Sequence, residues 1–401
     1  MTHPRLALIT TPISLELMRG AVELEAGEQG LLPHRLPAWA RAQCADPQFA
    51  RAEAQPCGVR LVLQTEATEI ELDVVPIRYL YSGAPPRPLG VYDLWVNGQL
   101  LHQCSAQGGD QVRIDLATGA QTCTSGPVAT LGFAGLPARD KTVEIWLPYN
   151  ETSWLQALRS NAPLAVPKAT GRPVWLHHGS SISNGSNAAS PTSIWPALAA
   201  RLGQVELYNL GLAGNALLDP FTARSMGGIA ADLISVKLGI NLVNADLMRL
   251  RAFIPAVHGF LDTLRDGHPH TPLLLISPLY CPIHERTPGP GAFDSQALAA
   301  GKVLFRASGD PAEAQAGKLT LIRIRQELQR IVEQRRADDP NLHYLDGRQL
   351  YGAEDFADLP LPDQLHPDDA AHQRIGQRFA RIAFGTGGPL ALEKTATGTT
   401  P

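Results

Sequence analysis

The sequence predicts a chain in two parts, an all-β N-terminal domain followed by an α/β domain built on a parallel sheet. Up to about residue 165 the apolar residues recur with a period of two in short segments, which is typical of strands. From about Gly171 short apolar runs alternate with longer amphipathic stretches, which is typical of βα units. Pro163, Pro167 and Pro173 lie between the two patterns and indicate a linker.

These changes of pattern predict the domain boundaries. We expect a β-sandwich or jelly roll first, then a short linker, then the α/β domain. The chain after Phe384 is rich in Gly, Thr and Ala, which favours a disordered tail. The predicted segments are 1–165, 166–173, 174–385 and 386–401.

Length and composition exclude several classes of protein. The 401 residues are 44% hydrophobic, which suits two or three domains with ordinary cores. The formal net charge is only -4, so we expect binding neither to a nucleic-acid backbone nor to an anionic membrane. No stretch has the roughly 18 uncharged apolar residues of a spanning helix. A small-molecule substrate is the better expectation, and the oligomeric state stays open.

The cysteines and the start of the chain favour a cytoplasmic location. The 5 cysteines are scattered and lack a Cys-x-x-Cys spacing, so reduced thiols are expected rather than disulfides or a zinc site. The apolar run at residues 6–13 is interrupted by Pro12 and followed by Glu16. We interpret this run as a strand rather than a signal peptide.

In the N-terminal part, alternating segments predict the strands. Asn97-Gly98 separates two of these apolar segments and predicts a tight hairpin, because both central residues of a type I′ turn need positive φ. The predicted strands are residues 59–64, 70–75, 92–96, 112–116 and 143–147.

In the C-terminal part, the alternation of apolar runs and amphipathic stretches gives both element types. The predicted strands are residues 174–178, 205–209, 234–238, 272–277 and 342–345. The predicted helices are residues 194–202, 245–265, 318–336 and 369–384.

Ligands of open α/β sheets bind beyond the carboxyl ends of the strands, and four predicted strand ends or loops carry chemical groups. Ser181 lies in a Gly-Ser-Ser turn after the first strand, where backbone N–H groups can stabilise an oxyanion. Gly214 lies in a glycine-rich turn after the second strand, and Asn241 follows the third. Taken alone, the Gly214 motif fits a plain turn equally well, and the Ser181 and Asn241 motifs are more typical of a helix cap or a turn.

The fourth motif is the most specific. Asp363 and His366 are three residues apart just before the last predicted helix. At this spacing the carboxylate can hold the imidazole tautomer while the other ring nitrogen takes a proton from a serine. The occurrence of all four motifs in this order favours a serine-dependent acyl-transfer site.

This combination resembles the SGNH, or GDSL-type, hydrolase family over about residues 172–385. The resemblance implies a flavodoxin-like three-layer α/β/α domain and assigns Ser181, Asp363 and His366 as the catalytic triad. It also implies an oxyanion hole made by Ser181, Gly214 and Asn241. The segment at 90–95, Gly-Val-Tyr-Asp-Leu-Trp, is similar to the signature of β-domains that precede some of these esterases.

Two residues depart from the family pattern. Ser180 stands where the family often has Asp, and Leu242 follows Asn241 where Asp is frequent. Neither position belongs to the implied triad, but the hydrogen bonding around Ser181 must differ. Ser180 and Ser183 are the alternative nucleophiles.

The resemblance implies a carboxylic ester hydrolase that acts through an acyl-enzyme on O-acyl esters of a small molecule or carbohydrate. Because water and an alcohol can attack the same intermediate, an acyltransferase to a hydroxyl of a natural product or sugar is the main alternative. A polysaccharide deacetylase and a non-catalytic binding protein are further alternatives. No cofactor and no metal are expected, since neither a nucleotide-binding loop nor a metal-ligand spacing is present.

Two other features need an interpretation. His177 and His178 end a predicted strand beside the site, and we expect them to be buried or hydrogen-bonded rather than ligands. The Pro- and Gly-rich stretch at residues 280–312, which includes Arg286, either shapes the substrate pocket or is a surface loop.

Overall fold

The structure is a computed structural model that describes residues 8–115 and 118–391. The N-terminal half is mostly β-structure, as the period of two predicts. Its strands are β1 (Ile9–Thr11), β2 (Met18–Arg19), β3 (Glu23–Gly27), β4 (Gly30–His34), β5 (Arg60–Thr65), β6 (Glu69–Ser82), β7 (Tyr92–Val96), β8 (Gln99–Cys104), β9 (Asp110–Asp115), β10 (Gln121–Thr124), β11 (Ala129–Ala134), β12 (Lys141–Trp146) and β13 (Thr152–Ser160).

These strands form two sheets that share one apolar core. One is an 8-stranded sheet in the order β10-β9-β6-β13-β4-β3, with β1 beside β13 and β11 beside β6. The other is a 5-stranded sheet in the order β2-β5-β12-β7-β8. Alternate residues of both sheets, such as Leu72 on β6 and Leu94 on β7, are fully buried in one cluster. The alternation therefore buries one face of each sheet against the other.

The hairpin at Asn97-Gly98 is confirmed, and two short helices are new. Asn97 and Gly98 have φ of 49° and 78° and connect β7 to β8, as a type I′ turn requires. Helices α1 (Ala38–Arg41) and α2 (Pro47–Ala54) interrupt the β-structure. These helices have only 4 and 8 residues, and such lengths are too short for a helical period to stand out in the sequence.

The C-terminal half alternates strands and helices as predicted. Its strands are β14 (Val174–Gly179), β15 (Glu206–Gly211), β16 (Leu233–Lys237), β17 (Leu273–Ile276), β18 (Gly291–Phe293), β19 (Phe305–Ala307) and β20 (Leu342–Leu345). Its helices are α3 (Ser181–Asn184), α4 (Trp195–Gly203), α5 (Pro220–Gly227), α6 (Ile240–Asn244), α7 (Leu250–Gly267), α8 (Ser295–Ala299), α9 (Leu321–Arg335), α10 (Ala353–Asp358) and α11 (Asp369–Phe379).

The central sheet of this half is parallel, with the order β15-β14-β16-β17-β20. Numbered along the α/β half this is 2-1-3-4-5, the order of flavodoxin-like sheets. Along β14, Trp175 packs on α4 and α11 while His178 packs on α7 through Phe260. Because side chains of odd and even number point to opposite faces of a strand, helices cover both faces of the sheet.

A buried arginine joins the two halves. Arg35 follows β4, is 0% exposed, and donates to the carbonyls of Asn209 (3.2 Å) and Gly211 (2.8 Å) at the end of β15. The same guanidinium donates to the carbonyls of Ala52 and Glu53 at the end of α2. A buried cation with this many hydrogen bonds is strongly tied to its place. Helix α2 is thus held against the strand that leads to the glycine-rich turn.

Asp93 of the 90–95 segment also crosses between the halves. It is 0% exposed, and its carboxylate accepts hydrogen bonds from Ser190 (2.6 Å) and Thr192, which lie between α3 and α4. This aspartate therefore acts in the contact between the halves.

Some expectations at the boundaries stay open. Ala165, the last residue of the predicted β-domain, pairs with Gln64 of β5, so the chain remains attached to the second β-sheet up to that point. Most of the predicted tail, residues 392–401, lies outside the described residues, as do Leu6 and Leu116 of two predicted strands. Among the residues that are described, no helix has both the length and the apolar character needed to cross a membrane.

Candidate active site

The candidate nucleophile lies in a tight turn at the end of β14. Ser180 caps helix α3, and its Oγ accepts from the N–H of Ile182 at 3.4 Å. A Cβ on Gly179 would lie 2.3 Å from Ser183 Oγ, so only glycine allows the chain to turn this closely. Ser181, the first residue of α3, is thereby placed at the carboxyl edge of the sheet beside the point where the strand order reverses.

Ser181 is in hydrogen-bond contact with His366, and His366 with Asp363. The distance from Ser181 Oγ to His366 Nε2 is 2.9 Å, and that from His366 Nδ1 to Asp363 Oδ2 is 2.8 Å. The other carboxylate oxygen of Asp363 accepts from the N–H groups of Leu365 and His366. Gln364 has a φ of 68°, and this turn lets carboxylate and imidazole meet within three residues.

The carboxylate of Asp363 is kept ionised. Burial raises the pKa of this group, but the hydrogen bonds and charge of His366 outweigh burial and leave the pKa below the ordinary aspartate value. Asn187 also donates to Asp363 Oδ2, at 3.3 Å. An ionised Asp363 fixes the proton of the imidazole on Nδ1, so that Nε2 faces the serine as the acceptor.

The sequence left Ser180 and Ser183 as alternative nucleophiles, and their surroundings differ from those of Ser181. Both are 0% exposed, whereas Ser181 is half-buried at the site. Ser183 is engaged by His177, whose Nε2 lies 2.8 Å from Ser183 Oγ. The hydroxyl of Ser181 is the one of the three that a substrate can reach.

Three groups at neighbouring strand ends can bind a developing oxyanion. Asn241, at the start of α6, accepts from the N–H of Ala216 at 3.1 Å through its side-chain oxygen. This bond leaves the Nδ2 of Asn241 as the donating end of the amide. Gly214 has a φ of 74°, and within the described part of the chain neither its N–H nor that of Ser181 has an acceptor. The structure thus leaves all three predicted donors available.

A buried lysine, which no sequence motif predicts, lies behind the candidate nucleophile. Lys237, at the end of β16, is 2% exposed, and its Nζ lies 3.4 Å from Ser180 Oγ. It lines a small cavity of about 10 Å³ with Ile182 and Leu365. Burial lowers the pKa of Lys237 to about 8. Lys237 thus lies on the side of Ser180, the residue that stands where the family often has Asp.

The two histidines that end β14 are buried and hydrogen-bonded, as expected. His177 bonds to Ser235 and Ser183, each at 2.8 Å, and His178 Nδ1 donates to the carbonyl of Leu210. Burial places the pKa of His177 well below its ordinary value and that of His178 at about 4. Both rings therefore pack as neutral groups, and among the described residues no cluster of His, Cys, Asp or Glu could hold a metal ion.

The long stretch after β17 reaches the histidine loop. Strands β18 and β19 form a hairpin, and the N–H of Phe305 on β19 donates to the carbonyl of Asp363 at 2.9 Å. The Phe305 ring meets the His366 ring edge to face, with centroids 5.5 Å apart. Phe305 is a site residue that the sequence analysis missed, because a lone Phe in a Pro- and Gly-rich stretch carries no motif. Arg286 is exposed, and its pocket role stays a prediction.

A serine linked through a histidine to an aspartate at the carboxyl edge of a 2-1-3-4-5 parallel sheet defines an enzyme of acyl-ester chemistry. The GDSL-like lipase/acylhydrolase family matches residues 172–281. Over these residues the chain is similar to this SGNH/GDSL family, and the comparisons support an enzyme of acyl-ester chemistry, an esterase or an acyltransferase. The type of its N-terminal half is not part of that match.

Several solved structures are similar over nearly the whole chain. The salicylyl-acyltransferase SsfX3 from a tetracycline biosynthetic pathway is 27% identical with a TM-score of 0.75, covering 97% of this chain and 100% of that one. A GDSL-like lipase from Bacteroides ovatus is 18% identical with a TM-score of 0.65, covering 95% and 98%. An acetyl xylan esterase from Butyrivibrio proteoclasticus is 12% identical with a TM-score of 0.51, covering 96% and 100%. The last two likenesses are of fold alone, and no curated protein matches the sequence.

Proposed function

We propose that Ser181 is the nucleophile of an acyl-enzyme mechanism. His366 takes the proton of Ser181 as the hydroxyl attacks an ester or thioester carbonyl, and Asp363 stabilises the imidazolium that forms. His366 then returns the proton to the leaving group, and the acyl group stays on Ser181. The observation that carries this proposal is the unbroken chain of hydrogen bonds from Ser181 through His366 to Asp363, at 2.9 and 2.8 Å.

The oxyanion of this reaction would be held by the N–H groups of Ser181 and Gly214 and by the amide of Asn241. Donors fixed in place before the reaction favour charge that exists only in the transition state. The bond from Ala216 to Asn241 supports this role, because it fixes the amide and ties it to the glycine-rich turn.

The acyl acceptor is the second part of the proposal. We infer that a hydroxyl of a small molecule receives the acyl group, with water as the alternative acceptor. Support comes from SsfX3, an acyltransferase that is similar through both halves of the chain. The esterases of 12% to 13% identity support the fold alone, so a polysaccharide substrate has no comparable support.

The N-terminal half fits this proposal as a separate jelly-roll-like sandwich domain, residues 1–165, joined by 166–173 to the catalytic domain 174–385. Two sheets around one apolar cluster support this division. Helix α2, which this half places next to Gly214, supports a role in the reaction: the side-chain nitrogen of Gln48 lies 2.5 Å from where a Cβ on Gly214 would stand.

The acyl-enzyme can be detected by mass spectrometry after brief exposure to short and aromatic p-nitrophenyl esters or acyl thioesters. We expect an adduct on Ser181 and none on Ser181→Ala. An adduct that persists in water but drains when an alcohol is added identifies a transferase, and one that drains to water identifies an esterase. Turnover that survives in Ser181→Ala would show that the assignment of the nucleophile is wrong.

A further inference from the structure

Beyond the reacting groups, the N-terminal half carries two tyrosine–arginine pairs on one strand face. Tyr79 and Tyr81 lie two residues apart on β6, so their side chains share a face of the sheet. The guanidinium of Arg51 lies 5.6 Å from the ring centroid of Tyr79, and that of Arg87 lies 5.9 Å from that of Tyr81. We call these four residues the Tyr-Arg surface.

One side of the Tyr-Arg surface adjoins the proposed oxyanion turn. Arg51 and Gln48 are three residues apart on α2 and therefore lie on the same side of the helix, one turn apart. Gln48 contacts Gly214. Helix α2 is fixed there by Arg35 and by the edge-to-face pair of Phe49 and Phe221, whose centroids are 5.2 Å apart.

The other side of the surface leads to the histidine loop. Burial raises the pKa of the Tyr149 phenol, and the nearby charge of Arg87 offsets this rise in part. Tyr149 donates to the carbonyl of Ala188 at 2.6 Å. Asn187, the neighbour of Ala188, donates to Asp363. Arg51 thus lies on the helix that contacts the Gly214 turn, and Arg87 lies near a tyrosine that is bonded to the segment beside Asp363.

The charges of the two guanidinium groups are not neutralised by a carboxylate. Neither Arg51 nor Arg87 forms an ion pair with any residue that the structure describes. In contrast, Arg78, on the same strand as the two tyrosines, pairs with Glu151 at 2.7 Å. Arg51 is half-buried, and Arg87 is exposed. An arginine that is oriented by stacking on a tyrosine and lacks a carboxylate partner is suited to bind a carboxylate or phosphate.

We propose that the Tyr-Arg surface is a subsite for the anionic part of the substrate, a carboxylate or phosphate attached to an aromatic ring or other flat group. The arginines bind the charge and the tyrosine faces pack on the flat group. This proposal rests on the proposed function, because the subsite selects which ester reaches Ser181. It also assigns a task to the N-terminal half, which supplies all four residues.

Charge selectivity in turnover tests this proposal. The substrates are 4-acetoxybenzoate, its uncharged methyl ester, and 4-acetoxyphenyl phosphate, which share the acetyl group and the phenol leaving group. We expect the wild-type protein to prefer an anionic ester in kcat/KM. Arg51→Gln and Arg87→Gln should each lower the ratio of anionic to uncharged kcat/KM about tenfold, through KM, since one charged hydrogen bond is lost. Whichever anion shows the larger preference identifies carboxylate or phosphate.

Arg201→Gln is the matched control. Arg201 is also stacked on an aromatic ring, that of Trp95 at 5.2 Å, but it lies at the end of α4, before the amino end of β15 and away from the site. The charge ratio should stay at the wild-type value in this variant. Added salt should lower the wild-type ratio, because charge attraction is screened. A wild-type ratio equal to that of the double variant Arg51→Gln/Arg87→Gln would overturn the proposal.

A binding measurement separates this subsite from the proposed chemistry. Calorimetry on Ser181→Ala with 4-acetoxybenzoate and 4-acetoxyphenyl phosphate reports the subsite without any reaction. Binding of at least one of the two that weakens about tenfold with each arginine substitution supports the subsite even if no ester is turned over, in which case only the proposed function fails. Wild-type turnover with no binding preference for either anion over the methyl ester would instead reject the subsite and leave the proposed function standing.

Discussion

At the scale of single residues, Ser181 is distinguished from its neighbours by accessibility and by its partner. Ser180 and Ser183 are fully buried, and their hydroxyls bond to Ile182 and His177. A hydroxyl becomes a nucleophile only where a base can take its proton and a carbonyl carbon can approach. Ser181 meets both conditions, because His366 accepts from it and its side chain is half-buried rather than enclosed.

Asn241 allows a prediction about the transition state. Asn241→Ala removes an amide that is held by Ala216, and we expect kcat to fall about 10²- to 10³-fold with little change in KM, as for other single oxyanion donors. Steady-state kinetics with p-nitrophenyl acetate measures both constants. Asn244→Ala, on the same helix, is the control, and full activity of Asn241→Ala would remove this residue from the oxyanion hole.

Lys237 allows a prediction about stability and pH. Burial lowers its pKa to about 8 in the folded state, while the unfolded chain keeps the ordinary value of about 10.4. Below pH 8 both states are protonated and the folded state bears the whole penalty for a buried charge. As pH rises from 8 to 10.5 the unfolded chain holds more protons, so the penalty disappears and stability rises.

We therefore expect Lys237→Met to be more stable than the wild type at pH 7, by up to about 3 kcal/mol. The lost contact with Ser180, 3.4 Å long, offsets this only in part. Urea unfolding at pH 7 and pH 10 measures the difference, which should shrink at the higher pH. A variant destabilised equally at both values would show that the lysine acts by packing alone.

At the scale of elements, the β18–β19 hairpin contacts the loop that carries Asp363 and His366. The N–H of Phe305 donates to the carbonyl of Asp363, and the Phe305 ring packs edge to face with the His366 ring. Phe305→Ala keeps the backbone bond and removes the ring, and an edge-to-face contact contributes about 0.5–1.5 kcal/mol. We expect a 2- to 10-fold loss of kcat, measured with p-nitrophenyl acetate.

Two variants test whether the Phe305 ring positions His366 or only covers it. Phe305→Tyr keeps the ring face and should restore the rate, whereas Phe293→Ala, which removes only the partner ring 4.9 Å from Phe305, should cost less than Phe305→Ala. If Phe305→Ala and Phe293→Ala were equally impaired, the hairpin would act as a whole rather than through the ring on His366.

The elements also show how far sequence reasoning reaches. The strands of the parallel sheet were predicted because each is a short apolar run buried on both faces, such as Leu273–Ile276. Ser181, Asp363 and His366 were predicted because each belongs to a local motif. Lys237 and Phe305 were missed because their roles depend on contacts with residues 57 and 58 positions away, Ser180 and Asp363, and no local pattern records such pairs. The short helices α1 and α2 were missed because their length shows no period.

At the scale of the whole molecule, the two halves behave as one structure because polar groups are buried between them. Arg35 binds the end of β15 from the N-terminal half, and Cys57 donates to the carbonyl of Asn184 at 2.8 Å. A buried cation left without its partners costs far more than an exposed one. The N-terminal half, its helix α2 and the turn at Gly214 are therefore expected to unfold together, in a single transition.

The protein should lose stability in mild acid, because three histidines of the α/β half are buried as neutral rings. Burial lowers the pKa of His178 and His372 to about 4 and holds that of His177 well below its ordinary value. In the unfolded chain each ring takes up a proton near pH 6.5. As pH falls from 6.5 to 4 the unfolded state binds more protons, so stability falls, by up to about 3 kcal/mol for each of His178 and His372.

The carboxyl group of Asp219 opposes this loss. Burial raises the pKa of Asp219 to about 6, so its folded form takes up a proton before the unfolded chain does and gains stability in the same window. Because one partly exposed carboxyl opposes three buried imidazoles, the net effect is a fall in Tm between pH 6.5 and 4, measurable by calorimetry. His372→Gln should flatten that fall while lowering Tm at pH 7, since the bond to the carbonyl of Ser186 at 3.0 Å is disturbed. A Tm that stays constant down to pH 4 would mean that these rings are charged in the folded protein.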